Sequence, residues 1–145
     1  MRPASPPYDG LGRWLLAAEA APGEQPPGEA AAERACSRLQ EGLNKLVGQA
    51  GFDALMRRAL HLVQREYPFL QGVQSFDGTC FVGLAERAAG QDPAKVSVAM
   101  AAVIDQFFSL LSSFIGEDLA WRQIRRVWPQ VAPSGAAAGA EEAER

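Results

Sequence analysis

The stretch DPAKVSVAMAAVIDQFFSLLSSFI, residues 92–115, decides the fold. Asp92 followed by Pro93 predicts a helix start, because the carboxylate accepts from free amides of the first turn and proline loses no hydrogen bond there. Apolar residues then recur every three or four positions and form one seam: Val96, Met100, Val103, Phe107, Leu110 and Phe114. A second apolar row covers the adjacent face: Ile104, Phe108, Leu111 and Ile115. We predict a central helix surrounded by other helices.

The length of this helix is near the roughly 20 residues that span a bilayer. Asp105 at its midpoint opposes a membrane span, because an aspartate there costs about 2.5–3.5 kcal/mol on insertion scales. We therefore predict no membrane span. Asp105 is expected at the solvent edge of the helix or paired with an arginine.

Charge and composition exclude some classes of function. Residues 28–132 contain eleven basic and eleven acidic side chains, so the net charge of −3 arises at the ends of the chain. Nucleic-acid binders normally carry a basic stripe, and we predict no nucleic-acid partner. The N-terminus has no secretory pattern and the chain has two cysteines, so we expect a reducing, cytoplasmic location.

Three segments are predicted. Residues 1–27 contain six of the ten prolines and form a disordered arm, residues 28–132 form the helical domain, and residues 133–145 form a disordered acidic tail. Within the arm, a short helix with one apolar face would include Trp14 and Leu15. It is either a motif that enters a groove on a partner protein or an arm folded onto its own domain. The second interpretation is preferred, because monomers usually cover such an apolar patch.

The remaining pattern predicts three more helices and one hairpin. Helices are expected at residues 29–47, 52–67 and 117–128, with a short helical turn at residues 84–89. Asp77-Gly78 between two β-favouring segments predicts a hairpin of residues 73–76 and 79–82, with Phe76 opposite Thr79 and Gln74 opposite Phe81. The predicted fold is all-α: a compact bundle of about four main helices, a small β-hairpin inserted before the central helix, and disordered termini.

Reactive side chains are scarce. We predict no catalytic, cofactor-binding or metal-binding residue, because the single histidine, His61, and the two cysteines have no recognised spacing. His61 is interpreted as a surface residue. Cys36 and Cys80 are interpreted as small apolar residues, and a disulfide between them is an open alternative that the expected compartment does not support.

Arginines are the main polar signal. Two groups lie on the outer faces of predicted helices: Arg57, Arg58 and Arg65, and Arg122, Arg125 and Arg126. Together they would form a basic patch for an acidic partner or an anionic ligand. A solvated face balanced by nearby acidic residues is the alternative, and it is the more common outcome for an amphipathic helix.

The segments AGFDALMRRALHLVQREYPFL and LLSSFIGEDLAWRQIRRVWP resemble parts of a family of small, functionally uncharacterised helical bacterial proteins. The composition, rich in Ala, Arg, Gly and Pro, would suit a GC-rich bacterial genome. The resemblance implies no activity and no site residue.

The predicted function is a non-enzymatic protein-interaction or regulatory module that binds a protein partner or itself, with a homodimer as the expected form. The apolar faces of the central helix, the hairpin and the apolar arm support it. The alternative is a small-ligand sensor with an apolar pocket lined by Met56, Met100, Phe107 and Phe108.

Overall fold

The computed structural model describes residues 10–76 and 79–130. Five α-helices and one two-stranded antiparallel sheet follow one another in these residues: α1 (Leu11–Glu19), α2 (Glu29–Val63), β1 (Gln74–Phe76), β2 (Thr79–Val82), α3 (Leu84–Ala88), α4 (Pro93–Ile115) and α5 (Glu117–Val127). A 3₁₀ turn, Pro68–Leu70, precedes β1. The predicted mostly helical fold, with a hairpin before the central helix, is confirmed. The predicted acidic tail and the Asp77-Gly78 turn lie outside the described residues.

Helix α4 is the core of the fold. Asp92 accepts a hydrogen bond from the amide of Ala94 at 3.0 Å, and Pro93 occupies the first turn, as predicted. Nine of its residues are buried. The seam is buried from Val96 to Phe107, whereas Phe114 at the end of the helix is 69% exposed. By length and composition α4 could cross a membrane, and its buried residues show that the other helices cover it.

Helix α2 joins the two helices that the sequence predicts at residues 29–47 and 52–67. The backbone is non-helical only at Gly48, where φ is 79° and ψ is 161°. A positive φ suits glycine, which lacks the Cβ that makes this conformation unfavourable. The two halves, residues 29–47 and 49–63, therefore meet at a kink and not through a loop.

Helix α1 belongs to the core, which includes Leu11, Leu15 and Leu16. A Cβ at Gly12 would lie 2.1 Å from the backbone oxygen of Ala101, so α1 and α4 pack almost backbone to backbone. Residues 11–19 form the short apolar helix expected within the arm, and it is folded onto its own domain, the preferred interpretation, with its apolar face covered by α4 and α2.

Asp105 is half-buried and has a capping role that the sequence did not indicate. Its carboxylate accepts hydrogen bonds from the amides of Gly10 at 3.3 Å and Gly12 at 2.6 Å. These are free amides at the N-terminus of α1, which its own side chains do not cap. A carboxylate of the central helix therefore caps a helix more than ninety residues earlier in the chain.

Two further carboxylates fix the ends of helices. Glu19 accepts from the indole Nε1 of Trp128 at 3.0 Å and pairs with Arg38 at 2.7 Å, which joins the ends of α1 and α5 to α2. Glu24 accepts from three backbone amides around the start of α2, those of Ala21, Gly28 and Ala31, and pairs with Arg34. Burial alone raises the pKa of Glu24, but these hydrogen bonds outweigh it and the pKa lies below its usual value.

The hairpin packs against α2. Phe76 lies opposite Thr79 as predicted, but Gln74 lies opposite Val82, so the predicted pairing of Gln74 with Phe81 is wrong. The reason is a register shift between Gln74 and Phe76. Phe81 has a φ of 56° and its side chain is buried. Burying this ring holds the strand in a conformation that costs a phenylalanine energy.

The two cysteines form a disulfide between α2 and β2, with Cα atoms 6.3 Å apart. Cys36 is buried and Cys80 is half-buried, and the disulfide that the sequence left open, without support from the expected compartment, is present. Their separation of 44 residues explains why local sequence did not predict the pair.

Candidate functional site

An open cleft lies between the second half of α2 and the hairpin, and we call it the hairpin cleft. Its volume is about 670 Å³, within the range of about 300–1,000 Å³ typical of ligand sites. Helix α2 forms one wall and residues 73–75 form the other. The lining residues are Arg57, Arg58, Leu60, His61, Gln64, Val73, Gln74 and Ser75.

The α2 wall is basic because of its helical spacing. Arg57, His61 and Gln64 follow one another at intervals of four and three, which places them on one face of the helix. Arg58 is adjacent, and the side chains of Arg57, Arg58 and His61 are exposed. His61 Nδ1 and Gln64 Nε2 lie 3.3 Å apart, so these two side chains support each other.

Arg57 and Arg58 have no ion-pair partner within residues 10–76 and 79–130. The ion pairs of Arg34 and Arg38 lie in the first half of the same helix, away from the cleft. Two unpaired guanidinium groups on one wall create a positive potential that attracts an anion. Each guanidinium offers a planar fork of donors that fits a carboxylate or a phosphate.

Ser75 lies on the opposite wall. The residue is 1% exposed, and its Oγ has no hydrogen-bond partner in the described part of the chain. A buried hydroxyl without a partner costs about 1–3 kcal/mol in lost solvation. Most buried polar atoms in folded proteins are paired, so this hydroxyl is an exception among the described residues, and it belongs to a residue that lines the cleft.

The interaction residues that the sequence proposed do not lie at one site in the structure. Trp14 is half-buried against the core and Leu15 is fully buried, so Leu15 contributes to packing. Arg57 and Arg58 line the hairpin cleft, whereas Arg65 is exposed outside its lining. Three arginines of the proposed patch lie exposed on α5 and do not line the cleft: Arg122, Arg125 and Arg126.

The four residues of the proposed apolar pocket belong to the packed core. Met56, Met100, Phe107 and Phe108 are all 0% exposed. The ring of Phe107 lies 5.2 Å from that of Phe52 and 5.5 Å from that of Phe108, measured between centroids. These side chains fill the space between the helices, and the hairpin cleft is lined by other residues.

Of the eight lining residues, the sequence proposed only Arg57 and Arg58 as interaction residues. Ser75 carries no local signal, because only the fold buries its hydroxyl and leaves it unpaired. Gln74 is likewise placed by the strand register, which the sequence predicted incorrectly at this position. His61 is exposed, in agreement with its interpretation as a surface residue, and the fold places it in the lining between Arg57 and Gln64.

Within residues 10–76 and 79–130, no group of three or more His, Cys, Asp or Glu side chains is arranged to hold a metal ion. Comparison with protein-family models, characterised proteins and solved structures gave no match. The resemblance to small helical bacterial proteins therefore stays a prediction.

Proposed function

We propose that this protein is a non-enzymatic interaction module whose hairpin cleft binds an acidic segment of a partner protein. The observation that carries this proposal concerns groups without partners among residues 10–76 and 79–130: the buried Ser75 hydroxyl on one wall of the cleft and the guanidinium groups of Arg57 and Arg58 on the other. A carboxylate supplies acceptors for the arginines and for the hydroxyl proton, and satisfies all three groups together.

The shape of the cleft supports a peptide as the ligand. The α2 wall from Arg57 to Gln64 is about 10 Å long at a rise of about 1.5 Å per residue, which matches three extended residues. Leu60 and Val73 add apolar surface between the charged groups. An acidic segment with one apolar side chain fits this combination, whereas a polyanion such as nucleic acid would need a longer basic surface.

The test is binding of a short fluorescein-labelled oligoglutamate peptide, measured by fluorescence anisotropy at low and moderate salt. The double variant Arg57→Gln/Arg58→Gln should weaken binding about tenfold, a loss of about 1.4 kcal/mol. The matched control is Arg122→Gln/Arg125→Gln, which removes two exposed arginines of α5 and should leave the affinity unchanged. Equal weakening by both double variants would contradict the proposal, because the attraction would then depend on net charge alone.

Self-association is the second part of the proposed function. Three large apolar residues of the described chain are exposed and support it: Leu46, Val98 and Phe114. Light scattering after size exclusion should give the mass of a dimer for the full chain, and Phe114→Ser should shift the mass toward the monomer. A monomer at all concentrations would contradict this part and leave the peptide-binding proposal unaffected.

A further inference from the structure

The wall of the hairpin cleft is held by a covalent bond. The Cys36–Cys80 disulfide joins β2 to the first half of α2, and β2 pairs with β1, which carries Ser75 and Gln74. The disulfide itself lies outside the lining of the cleft. It therefore positions one wall without contacting the ligand.

The hairpin has few other attachments. A two-stranded hairpin is marginally stable by itself in water, so this one depends on its contacts with α2. Phe81 is buried, but its backbone φ of 56° is unfavourable for a phenylalanine. This strain offsets part of the stabilisation that burial of the ring gives to the hairpin. Val73 and Ser75 are buried, and Ser75 adds an unpaired hydroxyl to that interface. Without the disulfide, noncovalent contacts alone hold the paired strands against α2.

We propose that the Cys36–Cys80 disulfide is a redox switch for the hairpin cleft. In the oxidised chain the hairpin is fixed against α2 and the cleft binds its acidic ligand tightly. In the reduced chain the hairpin moves away from α2 part of the time, and the apparent affinity falls in proportion to the fraction of time for which the wall remains in place. This inference rests on the proposed function, since it describes the regulation of the same site.

Reduction follows thiol–disulfide exchange with a protein or small-molecule dithiol. One thiolate of the dithiol attacks Sγ of Cys80, which is half-buried, while Cys36 is 1% exposed. The S–S bond breaks, Cys36 leaves as a thiolate and takes up a proton. The second thiolate of the reductant attacks the mixed disulfide and releases Cys80 as a thiol, so two electrons pass to the protein and the reductant becomes a disulfide.

The experiment compares the full-length oxidised chain, the same chain reduced with dithiothreitol, and the double variant Cys36→Ser/Cys80→Ser. Oligoglutamate binding should weaken at least about fivefold in the reduced chain and in the variant. Amide hydrogen exchange of residues 74–76 and 79–82 should accelerate in both, while that of α4 stays slow. Reoxidation of the reduced chain should restore the affinity, and the variant should not respond to oxidant.

Equal affinity and equal hairpin exchange in the oxidised and reduced chains would overturn the switch. Loss of α4 protection on reduction would also overturn it, because the disulfide would then support the whole fold. Absence of peptide binding in the oxidised chain would contradict the proposed function instead, and faster hairpin exchange on reduction would still show that the disulfide controls the wall.

Discussion

The helical core and the hairpin cleft use their charged side chains in opposite ways. In the core, Asp105, Glu24 and Asp92 each accept hydrogen bonds from backbone amides at the start of a helix. A negative charge at this end complements the helix dipole. These carboxylates therefore hold α1, α2 and α4 in place, and their acceptors already have donors.

In the cleft, Arg57 and Arg58 have no ion-pair partner in the described chain, and the buried hydroxyl of Ser75 has no acceptor or donor there. The difference teaches that the capping carboxylates stabilise the fold, whereas Arg57, Arg58 and Ser75 make no comparable interactions with the described residues, which is why the proposed function assigns them to a ligand. Substitutions in the two regions should consequently change different properties of the protein.

Truncation of a buried core side chain should have the largest effect on the free energy of unfolding. Phe107→Ala removes a ring that is 0% exposed and packs between Phe52 and Phe108, and it should lower the free energy of unfolding by about 3–5 kcal/mol. The matched control is Phe114→Ala on the same helix, where the ring is 69% exposed and the loss should stay within about 0.5 kcal/mol. Urea denaturation measures both, and equal losses would contradict the assignment of the core.

Removal of the Asp105 carboxylate, which caps α1, should have the next largest effect on the free energy of unfolding. Asp105→Ala leaves the amides of Gly10 and Gly12 without their acceptor and should lower the free energy of unfolding by about 1–2 kcal/mol. Asp105→Asn retains an acceptor oxygen and should lose less. Amide exchange of α1 should accelerate in the alanine variant while oligoglutamate binding is unchanged; weaker peptide binding would show that the two regions are coupled.

Ser75→Ala should separate stability from binding. Because the hydroxyl is buried and unpaired in the free chain, its removal should leave the free energy of unfolding unchanged or raise it by up to about 1 kcal/mol. Loss of one hydrogen bond to the ligand should weaken oligoglutamate binding about fivefold. Ser97→Ala on α4, outside the cleft lining, is the control and should not alter affinity. A destabilised Ser75→Ala variant that binds normally would contradict the role of Ser75.

The smallest expected effect is on the pH dependence of stability, through the carboxylates of Glu24 and Glu33. The folded pKa of Glu24 lies below its unfolded value, so its ionisation stabilises the fold above the unfolded pKa, and this contribution is lost as the pH falls through the folded pKa. Glu24→Gln should therefore be less stable than the parent at neutral pH, and the difference should shrink in acid. For Glu33, burial and then the charge of Glu29 raise the pKa, so its ionised form opposes folding. Glu33→Gln should therefore be more stable than the parent at neutral pH in thermal denaturation, and this difference should also shrink in acid.

The sequence predicted those parts of the fold whose signals are local. The cap at Asp92, the apolar spacing of α4 and the hairpin at residues 74–82 each depend on neighbours within a few residues. The cap of α1 by Asp105 and the disulfide join distant segments, so no local pattern indicates them. Phe81 shows the same limit, because its positive φ and the register shift in the hairpin depart from the simple alternation that the sequence pattern assumes.

The site was predicted in part for the same reason. Helical spacing indicated that Arg57 and Arg58 face outward, and they do. Which of the six proposed arginines share a cleft depends on how α2, α5 and the hairpin pack, and that arrangement leaves Arg122 and Arg126 elsewhere. The free hydroxyl of Ser75 follows from tertiary burial alone.

The most direct test of the central claim is a titration of the oxidised, ¹⁵N-labelled chain with the oligoglutamate peptide, followed by NMR. The account predicts saturable shifts in the amide signals of residues 57–64 and 73–75, with those of α1 and α5 unchanged. Shifts spread over the exposed arginines of α5, or no saturable shifts at the hairpin cleft, would contradict it.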